Sequence, residues 1–108
     1  MKLITKEIEK RLQAAPLYST EGNEKADVIV KYFNPCGTGK WYITEGEKQS
    51  DGDWLLFGLC CIHEAELGYV LLSDLQNIKL PFGLTIERDL HFRGNLIDAH
   101  NEIDKIYR

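Results

Sequence analysis

The segment Trp54-Leu55-Leu56-Phe57-Gly58-Leu59-Cys60-Cys61-Ile62 is an almost uninterrupted apolar run. It is far shorter than the ~20 residues of a membrane span. It also lacks the in-and-out alternation of a strand with one wet face. A strand buried on both faces reads this way, so the run is expected to lie centrally in a sheet. Gly58, inside the run, permits a close neighbour or a bulge.

The rest of the chain supplies partners for that strand. Leu3, Ile4, Ile8, Leu12 and Ala15 recur at three- and four-residue spacing, which predicts a helix over 3–14 with Thr5 as a cap and Pro16 as its end. A polar loop follows at 19–26. Residues 27–33 predict a strand with Val28, Val30 and Tyr32 on one face and Ile29, Lys31 and Phe33 on the other. Asn34-Pro35-Cys36-Gly37-Thr38-Gly39 is a turn, and Lys40 to Glu45 a second strand with Trp41, Ile43 and Glu45 sharing a face. A further strand is expected over 66–72. Ser73 and Gln76 then form a capping-box pattern before a short helix at about 74–79. Leu84 to Phe92 alternates cleanly and predicts a fifth strand. Its polar face is Thr85, Glu87, Asp89 and His91, and Arg88 interrupts the apolar one. Asn95 caps a final helix with a stripe of Leu96, Ile97, His100, Ile103 and Tyr107. Short connections between successive strands predict an α+β fold: a single domain over 1–108 with a five-stranded, mainly antiparallel sheet. N-terminal, short middle and C-terminal helices pack on that sheet. A chain of 108 residues fits one domain and buries roughly 65% of its unfolded surface, enough for one core.

Charge narrows the function classes. Thirteen Lys and Arg stand against seventeen Asp and Glu, a net charge of -4. A nucleic-acid-binding domain carries the opposite balance. The basic residues Lys2, Lys6, Lys10 and Arg11 are interleaved with Glu7 and Glu9, as on a solvated helix face. Three cysteines are an odd number, against a complete disulfide framework. The N-terminus turns charged too soon for a signal peptide, so a reducing cytoplasm is the expected compartment.

Several phrases occur in a recognisable order. They are Phe33-Asn34-Pro35, Trp41-Tyr42-Ile43-Thr44-Glu45, Leu56-Phe57-Gly58, Ala65-Glu66-Leu67-Gly68-Tyr69-Val70, and the long Pro81-Phe82-Gly83-Leu84-Thr85-Ile86-Glu87-Arg88-Asp89-Leu90-His91-Phe92. Together the chain resembles the bacterial domain-of-unknown-function family numbered 2958, over roughly residues 3–92. Cys60-Cys61-Ile62-His63 and the Thr38-Gly39-Lys40 turn depart from the family phrase. The resemblance carries no activity. It implies a small cytoplasmic accessory factor of bacterial mobile elements.

Candidate chemistry centres on charges that fall on apolar faces. Arg88, Glu45 and Glu66 each need a partner if buried, and an Arg88–carboxylate pair across strands satisfies both sides. With Asp89 and His91 they outline a candidate polar pocket of Glu45, Glu66, Arg88, Asp89 and His91. A carboxylate beside an imidazole can serve acid–base chemistry, but no serine or cysteine shares the Thr85–His91 row, and the solvent face of a sheet is polar in any case. Cys36, Cys60, Cys61 and His63 lack metal-ligand spacing, because Cys60 and Cys61 point to opposite faces. Cys36-Gly37-Thr38-Gly39-Lys40 leads into a strand, unlike a phosphate loop. Tyr32, Phe33, Trp41, Tyr42, Trp54 and Phe57 are what a sheet core contains. No catalytic residue, cofactor or metal is therefore expected. The leading expectation is a non-catalytic interaction protein that binds another protein, with a homodimer open. The alternatives are a small enzyme or ligand binder built on the polar pocket, and an inhibitor of a host defence system.

Overall fold

In a computed structural model, which describes residues 1–106, the apolar run is an interior strand of an antiparallel sheet with helices on both sides. The elements in chain order are helix α1 (Lys6–Gln13), strands β1 (Val30–Phe33), β2 (Lys40–Lys48), β3 (Trp54–Cys61) and β4 (Ala65–Leu71), helix α2 (Leu72–Asn77), strand β5 (Glu87–Arg88) and helix α3 (Leu96–Ile106). The spatial order is β4-β3-β2-β1-β5, with every pairing antiparallel. The fold is the expected α+β domain.

Alternation along β3 divides the core. Trp54 and Leu56 join Leu12, Tyr32, Trp41, Ile43 and Leu75 under α1 and α2. Leu59 and Cys61 join Tyr42, Leu96, Ala99 and Ile103 under α3. This is why the run shows no polar face: each side meets a helix layer. Thr5 caps α1 by accepting from the Ile8 N–H at 3.2 Å, as its sequence position predicts.

Four local expectations are corrected. The helix begins at Lys6, so Leu3, buried in the core, and Ile4, packed against it, precede the helix. The capping box at Ser73 does not form. Asp53, from the β2–β3 turn, instead accepts from the Ser73 N–H at 3.1 Å and the Ser73 hydroxyl at 2.5 Å, taking over the start of α2. The fifth strand is two residues long, not nine. Asp89 turns its carboxylate back to accept from the N–H groups of His91 (2.7 Å) and Phe92 (3.0 Å), which ends pairing and abolishes the expected polar row. In α3 the buried stripe is Leu96, Ala99 and Ile103, while Ile97 and His100 point outward; Tyr107 lies outside the described residues.

The α3 layer buries a lysine. Lys31, 7% exposed, pairs with Asp89 at 3.0 Å and with Glu102, and its Nζ lies 5.3 Å from the Tyr42 ring centroid. The Tyr42 hydroxyl donates to Glu102 at 2.6 Å. Burial first, and then that hydrogen bond, push the Tyr42 hydroxyl well above its ordinary range. Burial works to raise the Asp89 pKa, but bonds from His91 and Phe92 and the Lys31 charge outweigh it, so the carboxyl titrates below its ordinary value. Its contribution to stability is therefore present above the ordinary carboxylate range and is lost as pH falls through the lowered value. Lys31→Met should cost about 2–3 kcal/mol, below the usual figure for a broken buried pair because both carboxylates keep some solvent. Urea melts at neutral pH check this, and an unchanged midpoint would show the network to be energetically idle.

Candidate functional site

The site begins with one extra residue in β2. Ile43 pairs with Gly58, but Glu45 pairs with Phe57, so Thr44 has no partner and the register slips by one. Such a bulge turns every later side chain to the opposite face. Glu45 was expected beside Trp41 and Ile43. It lies instead on the α3 side, with Phe57, and Gly46 takes the place facing Leu12, Leu56 and Trp54. Gly58 makes the bulge sterically feasible, because a Cβ there would sit 1.9 Å from the Tyr42 carbonyl oxygen.

Glu45 is only 2% exposed. Its carboxylate accepts from the backbone N–H groups of Tyr18 (2.7 Å) and Thr20 (2.9 Å), and from the Thr20 hydroxyl. Among the described residues no cation lies within ion-pair distance of it. The negative charge is thus held by oriented dipoles alone. Those bonds fix the loop after α1. Tyr18 has φ +72°, a left-handed conformation that a bulky residue adopts only when its surroundings hold it there. The result is an aromatic ring presented to solvent. The neighbouring Tyr18 hydroxyl first, and then burial, push the Tyr69 hydroxyl above its ordinary value.

A groove of about 620 Å³ lies between this loop, β4 and the outer face of α3. Glu45, Thr44 and Phe57 form its floor from β2 and β3, and Leu67 and Tyr69 line it from β4. Ile97 and His100 line it from α3. The Phe57 and Tyr69 rings are 4.9 Å apart. Tyr18, Leu67, Tyr69 and Ile97 are between 42% and 69% exposed, an unusual concentration of apolar surface around one cavity. Alternation places Leu67 and Tyr69 on a strand, and helical spacing places Ile97 and His100 on the stripe of the last helix. Their alternation and helical spacing give the face but not whether anything covers it. Nothing local announces Tyr18, whose conformation depends on a carboxylate 27 residues away in sequence.

The five residues of the expected polar pocket are divided among separate places. Glu45 is in the groove. Glu66 is on β4, at the edge of the sheet, on the face opposite the groove. Arg88 is on β5, at the other edge, four strand spacings or roughly 19 Å away. Its guanidinium donates to the Lys2 carbonyl at 2.6 Å, not to a carboxylate. Asp89 is held by Lys31, and His91 is exposed. Arg88 and Asp89 line a second, polar cleft of about 440 Å³ with Arg11 and Arg93. Arg11 donates there to the Ile29 carbonyl at 3.0 Å. That cleft mixes both signs of charge, and its walls come from α1, β1 and the segment after β5.

Cys61 is buried and Cys36 exposed; burial first, then the Glu66 charge, push the Cys60 thiol up to about 11. Among the described residues no three His, Cys, Asp or Glu side chains gather as metal ligands, and no helix is long and apolar enough to cross a membrane.

A family model described as a protein of unknown function (DUF2958) matches residues 3–99. No curated protein and no solved structure matches the chain.

Proposed function

We propose that this chain, which belongs to the DUF2958 family, is a non-catalytic interaction protein that binds another protein through the groove between the Tyr18 loop, β4 and α3. The observation that carries this is the ring of Tyr18, Leu67, Tyr69 and Ile97, all substantially exposed around one cavity. Apolar surface gathered in one place gains free energy when a partner covers it, at roughly 25 cal/mol per Å². Aromatic residues at the centre of a patch are the usual anchors of such contacts. An enzyme built on Glu45, Glu66, Arg88, Asp89 and His91 finds no support, because those side chains do not converge. In this proposal the setting is a bacterial cytoplasm, and the chain is an accessory factor of a mobile element.

Capture from a bacterial lysate with the tagged protein, and in parallel with a Leu67→Asp, Ile97→Asp variant, tests this. Both positions are solvent-facing, so the variant should keep the wild-type melting temperature. One stoichiometric partner, held by the wild type and lost by the variant, is the expected result. A partner retained by the variant, or none captured by the wild type, would defeat the proposal. A captured second copy of the chain would make the surface a dimer interface instead.

A further inference from the structure

Among the described residues the charges lining the groove are all of one sign: Glu21, Glu24 and Glu45 line it, and neither lysine nor arginine does. Glu45 is the important one, since its buried carboxylate has three dipolar donors and, among the described residues, no cation within ion-pair distance. A carboxylate offers about four acceptor positions, so one on its Oε1 side is unused. Charge held away from water acts over a longer range than charge at the surface. The walls are equally selective. Phe57, Tyr18 and Tyr69 offer ring faces, and Leu67 and Ile97 offer aliphatic surface.

We propose that the groove receives a lysine or arginine side chain presented by the partner protein. This rests on the groove being the docking surface and says what the partner must bring to it. The aliphatic stem of such a side chain covers Leu67 and Ile97, as long cationic side chains do elsewhere on apolar surface. Its charged head lies against the tyrosine and phenylalanine rings and within the field of the three carboxylates. A neutral apolar side chain would bury the same area but would strip water from Glu21 and Glu24 with nothing in return. An acidic one would add a fourth like charge.

Short peptides separate these cases. Acetyl-Leu-Lys-Leu-amide, and its analogues with arginine, norleucine or glutamate at the centre, are titrated into the full ¹⁵N-labelled chain and followed by amide shifts. The lysine and arginine peptides should shift residues 18–24, 67–69 and 97–101. They should bind about tenfold tighter than the norleucine peptide and lose that advantage in 0.5 M salt, roughly the worth of one partly desolvated cation–π and ion contact. The glutamate peptide should not shift those residues. Glu21→Gln with Glu24→Gln, both at exposed positions, should reduce the preference several-fold without unfolding the chain. Equal binding of the norleucine and lysine peptides at these residues would overturn the charge selection and leave the docking surface standing. No shift at these residues with any peptide would overturn both.

Discussion

Gly58→Ala should leave the protein largely unfolded at room temperature. The added Cβ would stand 1.9 Å from the Tyr42 oxygen and 2.8 Å from the Ile43 Cα, both backbone atoms of the neighbouring strand. Side chains can swing aside; a paired strand cannot without breaking its ladder. Tyr42 and Ile43 are themselves fully buried on opposite faces of the sheet, so movement of β2 disturbs both core layers. A loss above about 4 kcal/mol is expected, in the range reserved for core clashes and comparable with the whole stability of many domains this size. The neighbour supplies the control. Gly68 pairs directly with Gly58 in the next strand, yet a Cβ there meets nothing within 4 Å. Gly68→Ala should shift the urea midpoint little. If the two variants melt alike, the close approach at the bulge does not constrain the fold.

Glu45→Ala should be the second largest effect, about 2–4 kcal/mol, because it removes three hydrogen bonds to a charged acceptor inside the protein. The loss is local in origin. The backbone N–H groups of Tyr18 and Thr20 lose their acceptor, and only the turn bonds from the Ser19 and Glu21 N–H groups then restrain Tyr18 in its left-handed conformation. Amide hydrogen exchange should therefore accelerate at 18–20 far more than in β3. Glu45→Gln separates charge from shape. Its amide keeps one acceptor oxygen but turns donors toward the Thr20 or Tyr18 N–H, so it should recover part of the stability and little of the loop order. Unaltered exchange at 18–20 in both variants would mean that the loop is fixed by something other than this carboxylate. Because the loop forms one wall of the groove, either variant should also weaken partner capture.

The two effects share a cause that connects sequence to site. Gly58 allows the bulge, the bulge turns Glu45 toward α3, Glu45 holds the loop, and the loop presents Tyr18. Of these steps the sequence showed the first as a possibility, since a glycine within an apolar strand marks a bulge or a close neighbour. It did not show which strand would carry the extra residue. Strict alternation from Trp41 and Ile43 sends Glu45 to the wrong face, and a slip of one residue is invisible in composition or periodicity. Arg88 is a similar case. Its place on an apolar face signalled a need for a partner, but the partner is a main-chain carbonyl near the N-terminus, which no side-chain pattern announces.

Local signals worked where the physics is local. The apolar run of β3, the Thr5 cap, the terminal helices and the antiparallel hairpins follow from periodicity, capping and short connections, each confined to a few neighbouring residues. The order of elements, and with it the α+β class, was therefore determined by the sequence. The length of the fifth strand was not. Asp89 competes for backbone donors that the alternation had assigned to a ladder, and the balance turns on Lys31 holding that carboxylate in place. Only the tertiary structure decided which apolar residues stay uncovered. Leu67, Tyr69 and Ile97 lie on faces whose periodicity matches that of buried ones. Whether a face is covered depends on where distant elements end, and here α3 leaves part of the sheet bare while the Tyr18 loop closes the groove from the other side.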